Sequence, residues 1–182
     1  KWTHQNYISA VKWFPPGYSY KKKGQLQYSK DDHESSIVAS LGEDGIAMVW
    51  DFRFLSLNDP KGSQNINDVN EYFIPMKIEV NKVDSIGRII GTGLEIEDVG
   101  NLKFYFYIST DEGQVYCVDI GAKNTADNPT GNVIRHYNNR YFRPVVYFER
   151  SPFFSDIFLT VHDFHFSLWS TEKLKPIFMS PN

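Results

Sequence analysis

Ser36-Ile37-Val38-Ala39-Ser40-Leu41-Gly42-Glu43-Asp44-Gly45-Ile46-Ala47-Met48-Val49-Trp50-Asp51 is the stretch on which the fold turns. It is an apolar run, a turn carrying acids, and a second apolar run that ends in Trp-Asp. Glycine accepts positive φ at no steric cost, so Asp44-Gly45 is a hairpin turn pair. The pattern returns at Phe106–Asp119, with Glu112-Gly113 in the turn, and again at Ile157–Ser170, with Asp163 in the turn. Each block is preceded by one more candidate strand (Ala10–Phe14, Ile89–Ile96, Pro144–Phe148) and followed by another (Tyr72–Ile78, Val133–Tyr137, Pro176–Met179). That makes three groups of four antiparallel strands.

Composition agrees. Ile and Val together number 28, Ala and Leu only 14, and aromatics make up 16%. Branched and flat side chains suit a pleated surface and lose rotamer freedom in a helix. The chain therefore reads as all-β. Hydrophobic content of 41% and charged content of 23% are those of a folded domain, which excludes a disordered tail. The longest apolar runs, such as Phe104–Ile108, are far short of the roughly 20 residues a membrane helix needs. No basic-then-apolar leader is visible, and the chain opens on Lys1 rather than a methionine, as part of something longer would. Net charge of -3 argues against nucleic acid as a partner. The single cysteine, Cys117, excludes an internal disulfide and a multi-cysteine zinc site.

A repeated four-stranded antiparallel unit ending in Trp-Asp resembles the blade of a WD-repeat β-propeller. That resemblance implies a partial propeller of three blades, all belonging to one larger propeller domain. Blade one is 1–79, blade two 80–137 and blade three 138–182. It also implies a hydrogen-bonded network of His4, Ser40, Asp44 and Trp50 in the first unit. Val118 stands where the second unit would carry Trp, and the third ends Trp169-Ser170, so the network is expected in unit one alone. At 182 residues over three units, about 61 each, the repeats exceed the roughly 40–45 typical of the family. The excess lies in two polar insertions, 15–35 and 54–71, read as loops. With the four strands of each unit lettered a to d in chain order, propeller connectivity puts both on one face, with the strand b–c turns and the d–a connections on the other. Three blades do not close a ring, since propellers use about four to eight. The remaining sheet faces need cover from more chain or from another chain.

Chemistry finds little support. His162 and His165 invite a metal reading, but an odd spacing points them to opposite faces of a continuous strand. The competing reading makes Asp163 the acid of the third b–c turn. Gly91-Thr92-Gly93 lacks the further glycine or Gly-Lys-Ser/Thr that phosphate binding needs, and reads as a close-packed or bulged inner strand. Asp31-Asp32 lie in a polar loop with nothing to desolvate them. Among inner-strand side chains, Lys12 and Glu95 are the main polar candidates for a channel site. No Gly-x-Ser-x-Gly elbow occurs. The chain is read as no enzyme, with no cofactor and no metal.

Recognition is the alternative. Asn138-Asn139-Arg140-Tyr141-Phe142-Arg143 joins units two and three, and Tyr and Arg are the residues of interface hot spots. Tyr141 and Phe142 either project there or tuck between neighbouring units. Lys21, Lys22 and Lys23 form a second candidate contact for an acidic partner, or simply a solvated loop. One segment is more specific. Arg143–Val161, with its Ser151-Pro152, the Phe153-Phe154 pair and Asp156, followed by Asp163 and Leu168-Trp169, resembles dynein intermediate chains. Ala10-Val11-Lys12-Trp13-Phe14-Pro15-Pro16 is similar to the axonemal inner-arm branch of that family. This resemblance implies a non-catalytic scaffold in the cytoplasm and cytoskeleton, at the axoneme of a cilium or flagellum. Its partners would be dynein heavy chain, a second intermediate chain and light chains, with neither nucleic acid nor membrane. The competing expectation is a generic WD-repeat adaptor of another complex.

Overall fold

A computed structural model describes residues 3–20, 26–30, 33–52, 76–120, 131–138 and 142–181. They form an all-β structure of four antiparallel sheets, with no α-helix among the described residues. The strands are β1 (Ile8–Trp13), β2 (Tyr18–Tyr20), β3 (Leu26–Tyr28), β4 (Ile37–Gly42), β5 (Ile46–Asp51), β6 (Met76–Glu79) and β7 (Gly91–Gly100). They continue as β8 (Lys103–Thr110), β9 (Val115–Asp119), β10 (Asn132–Tyr137), β11 (Tyr147–Arg150), β12 (Ile157–Val161), β13 (Phe166–Ser170) and β14 (Phe178–Met179). Three sheets are four-stranded, in the orders β1-β4-β5-β6, β7-β8-β9-β10 and β11-β12-β13-β14, and the fourth is the β2-β3 hairpin.

Several strand limits differ from the sequence reading. The strand expected at 89–96 runs from Gly91 to Gly100. Ile89 and Ile90 belong to the connection, because the chain from Val80 folds back through the Asn81–Arg88 bridge and Ile89 N–H donates to Val80 O. The strand expected from Pro144 begins at Tyr147. Val145 N–H instead donates to Thr110 O in the second sheet. The last strand is shorter than 176–179, pairing only Phe178 and Met179 with β13.

The first insertion is the larger correction. It is not simply a polar loop, since it carries β2 and β3. Tyr18 is buried, packs edge-on against Phe104 at 4.7 Å, and donates its hydroxyl to Asp98 at 2.5 Å. Burial, reinforced by Asp98, pushes that hydroxyl up to about 12, so it stays a donor at ordinary pH. The hairpin thereby straps the first sheet to the second. Lys21, Lys22 and Lys23, Asp31 and Asp32, and all of the 54–71 insertion lie outside the described residues.

The sheets pack face to face in chain order. One face of the first, with Ile37, Ala39, Leu41, Val49 and Ile78, meets Phe104, Phe106, Ile108, Tyr116 and Val118 of the second. The opposite face of the second, with Tyr107, Val115, Cys117 and Tyr137, meets Phe148, Phe158 and Trp169 of the third. Strand β7 lies in contact with β1, β4 and β11. Its glycines make that closeness possible. A Cβ on Gly91 would stand 2.7 Å from the Leu41 side chain, and one on Gly93 would stand 3.2 Å from Phe148. The register also shifts between Gly91 and Gly93, as a bulged inner strand requires. Lys12 and Glu95 pair with each other at 2.5 Å across β1 and β7.

The outward face of the third sheet differs. Leu159, Val161 and Leu168 are half-buried, while Phe166 and Phe178 are exposed. A cavity of about 410 Å³ opens there, lined by Leu159, Val161, Phe164 and Phe166 among others. No further sheet covers it among the described residues.

Candidate interaction face

Turns and connections converge on one side of the three sheets. Glu43 N–H donates to Tyr7 O, Val80 N–H to Gly45 O, Asp111 N–H to Ile90 O and Val145 N–H to Thr110 O. Each bond ties a b–c turn to the connection that precedes or follows its sheet. The β2-β3 hairpin, the Gly100–Leu102 turn and the Ser151–Asp156 loop lie on the other side, at the opposite strand ends.

The structure brings His4, Ser40, Asp44 and Trp50 together on the turn side. Trp50 Nε1–H donates to Ser40 Oγ at 2.9 Å, and Ser40 Oγ lies 2.8 Å from His4 Nε2. His4 Nδ1 lies 3.4 Å from Asp44 Oδ1, with both side chains nearly fully buried. An indole only donates and a carboxylate only accepts. For the neutral ring this fixes the direction: Trp50 to Ser40, Ser40 to His4, His4 to Asp44. Asp44 also accepts the N–H groups of Gln5 at 2.8 Å and Ile46 at 3.2 Å, so it closes the turn on itself.

The third sheet builds the same chain by another route, which the sequence reading missed. Trp169 Nε1–H donates to Thr160 Oγ1 at 2.9 Å, and Thr160 Oγ1 lies 3.1 Å from His162 Nε2. His162 Nδ1 lies 3.0 Å from the carbonyl of Arg143. Thr160 pairs across to Ser167 as Ser40 pairs to Met48, so the two hydroxyls are equivalent. The imidazole comes from different places. In the first sheet it arrives from His4, and position 42 must be glycine, because a Cβ there would stand 2.5 Å from His4 Nδ1. In the third sheet the residue two beyond the hydroxyl is His162 itself, and its ring occupies the station. The signal was Ser-x-Gly at 40–42 against Thr-x-His at 160–162. The second sheet has neither: Ile108 and Val118, fully buried, replace hydroxyl and indole together. Removing both partners at once leaves no orphaned polar group.

His162 and His165 do not point to opposite faces. The strand ends at Val161 and resumes at Phe166, so both lie in the turn. Their rings stack with centroids 4.5 Å apart. Burial, with the neighbouring His165 adding to it, holds the His162 imidazole below its ordinary range. Among the described residues no three His, Cys, Asp or Glu side chains gather as a metal site. Cys117 is buried between the second and third sheets, and burial pushes its thiol up to about 11, far from a reactive thiolate.

Of the linker candidates, Arg140 and Tyr141 lie outside the described residues. Phe142 does not tuck between sheets. It is 66% exposed, with a left-handed backbone at φ 47°. Arg143 Nη1 lies 3.7 Å from Asp163 Oδ2, which sits in the third turn as the sequence reading placed it. Its guanidinium lies over the exposed ring of Phe164, 5.8 Å from the centroid. Compared with models of protein families and with curated proteins, the chain finds no match in either.

Proposed function

We propose that this chain is part of a WD-repeat β-propeller that serves as a non-catalytic scaffold of an axonemal dynein, docking on dynein heavy chain. The observation that carries the propeller reading is the serial packing of three four-stranded meanders, each face to face with the next in chain order. The Trp–hydroxyl–imidazole chains of the first and third sheets support a WD-repeat origin for both. The uncovered apolar face of the third sheet supports a place inside a longer ring, because matching residues of the first sheet lie buried under the second. The dynein part rests on the resemblance at Arg143–Trp169 and Ala10–Pro16. In that reading the motor chemistry belongs to the heavy chain. The intermediate chain holds subunits together in the axoneme, alongside a second intermediate chain and light chains.

The face of turns and connections is the proposed docking side. It gathers an exposed arginine and two exposed phenylalanines, Phe142 and Phe164, where hot-spot residues belong. Lys21, Lys22 and Lys23 are the alternative contact, for an acidic partner. The test is sedimentation of a tagged chain extracted from axonemes. Co-migration with dynein heavy chain and light chains is expected. Migration in a complex free of heavy chain would favour the adaptor reading instead.

A further inference from the structure

Residues 143–145, which lead into the third sheet, are bonded to both neighbouring sheets. The Arg143 carbonyl accepts the His162 Nδ1–H at 3.0 Å, and Val145 N–H donates to Thr110 O at 3.1 Å. Gly113, at φ 81°, passes directly beneath: a Cβ there would stand 2.5 Å from the Arg143 oxygen. With its backbone pinned from both neighbouring sheets, this segment presents Phe142 to solvent in a left-handed conformation, one that a bulky residue adopts only at a cost. No packing in the described residues recovers that cost, since the ring is 66% exposed.

The side chain of Arg143 has two neighbours in the third turn. Asp163 steadies it from one side at 3.7 Å, and the Phe164 ring lies beneath it. Yet the Arg143 side chain remains 56% exposed. Phe164 is itself 70% exposed, so the turn lifts a phenyl ring into water beside the cation. One phenyl ring thus lies beside the guanidinium, and the residue before Arg143 in the chain, Phe142, is exposed as well. Pre-organised aromatic and arginine side chains lose little entropy on binding, which is what makes them anchors.

We infer that Phe142, Arg143 and Phe164 form a single hot spot that binds a partner polypeptide segment carrying a carboxylate next to an apolar side chain. The guanidinium fork takes the carboxylate, and the phenyl rings take the apolar group. Asp163 is the selectivity element. It orients Arg143 but repels an incoming carboxylate, so it keeps the site weak and discriminating. This rests on the reading of the turn face as the docking side, and not on the identity of the partner.

A displayed random peptide library panned on the full chain tests it, with the best peptides then synthesised for titration. Enriched peptides are expected to share an Asp or Glu beside an apolar residue. Phe164→Ala and Arg143→Ala are each expected to weaken binding by about tenfold or more. Asp163→Asn is expected to tighten binding, because it removes the like charge. Phe153→Ala, on the opposite side, is expected to leave it unchanged. A library without enrichment, enriched peptides that are basic, or weakening by Asp163→Asn would each overturn the proposal. Co-sedimentation with heavy chain is an independent readout, so either result can fail without the other.

Discussion

Two histidines carry most of what is specific at the scale of single residues. In the first sheet His4 Nδ1–H donates to a carboxylate; in the third, His162 Nδ1–H donates to a backbone carbonyl. Removing the carboxylate by Asp44→Ala leaves His4 Nδ1–H and the N–H groups of Gln5 and Ile46 without it. The cost is about 1–3 kcal/mol for each group left buried and unpaired. A thermal melt should show a clear drop, and an unchanged midpoint would mean that the chain of bonds contributes nothing. Gly42→Ala should act in the same direction, because the added methyl displaces the imidazole. His162 makes a prediction about pH. Its folded value lies below the ordinary value of 6.5, with desolvation as the first cause and stacked His165 contributing. Above the ordinary value the ring is neutral whether folded or not, so nothing is lost. Below it, the unfolded chain takes the proton first, and stability falls as pH drops towards the lower folded value. Denaturant melts between pH 7.5 and pH 5 (roughly the span in which histidine titrates) should show that decline reduced in His162→Gln. An equal decline in both would place the titration elsewhere. The His4 set was legible because Trp50-Asp51 and Asp44-Gly45 mark a familiar pattern. The His162 set was not, because its imidazole arrives from within the strand–turn block rather than from the preceding connection.

At the scale of elements, the recurring block of apolar run, acid-bearing turn and second apolar run was enough to place all three four-stranded sheets. Strand ends were less legible, because they depend on partners distant in sequence. Val145 gives its N–H to Thr110 rather than to a neighbouring strand of its own sheet. The hairpin in the first insertion escaped notice for a related reason. Polar residues dominate that segment, while the signal lay in Tyr18 and Tyr28, whose rings sit 4.9 Å apart. Tyr18 is the pin of that hairpin. Tyr18→Phe removes the donor to Asp98, a bond to a charged acceptor worth about 1.5–3 kcal/mol. Tyr18→Ala also removes the ring from Phe104, which costs about 3–5 kcal/mol for a large aromatic. A denaturant series across wild type, Phe and Ala variants should give that order of stability. Equal midpoints would mean that the hairpin is not docked on the second sheet.

At the scale of the whole molecule, three sheets packed in series have two end faces. The interface between the second and third sheets shows how such units lock. Arg150 pairs with Glu97 at 2.6 Å and lies over Tyr107, while Tyr137 donates to Thr171 O at 2.7 Å. Those contacts fix the turn side and the hairpin side as two distinct surfaces of one rigid stack. In the proposed function, the turn side holds a dynein heavy chain. Lys82 lies on that side, in the connection that pairs it with Glu112. Lys103 follows the Gly100–Leu102 turn and Lys173 follows β13, both on the other side. Amine cross-linking of the native axonemal complex, read by mass spectrometry, is the most direct measurement. Heavy-chain cross-links are expected at Lys82 and not at Lys103 or Lys173; heavy-chain cross-links confined to Lys103 and Lys173, or none at all, would overturn the proposed docking side.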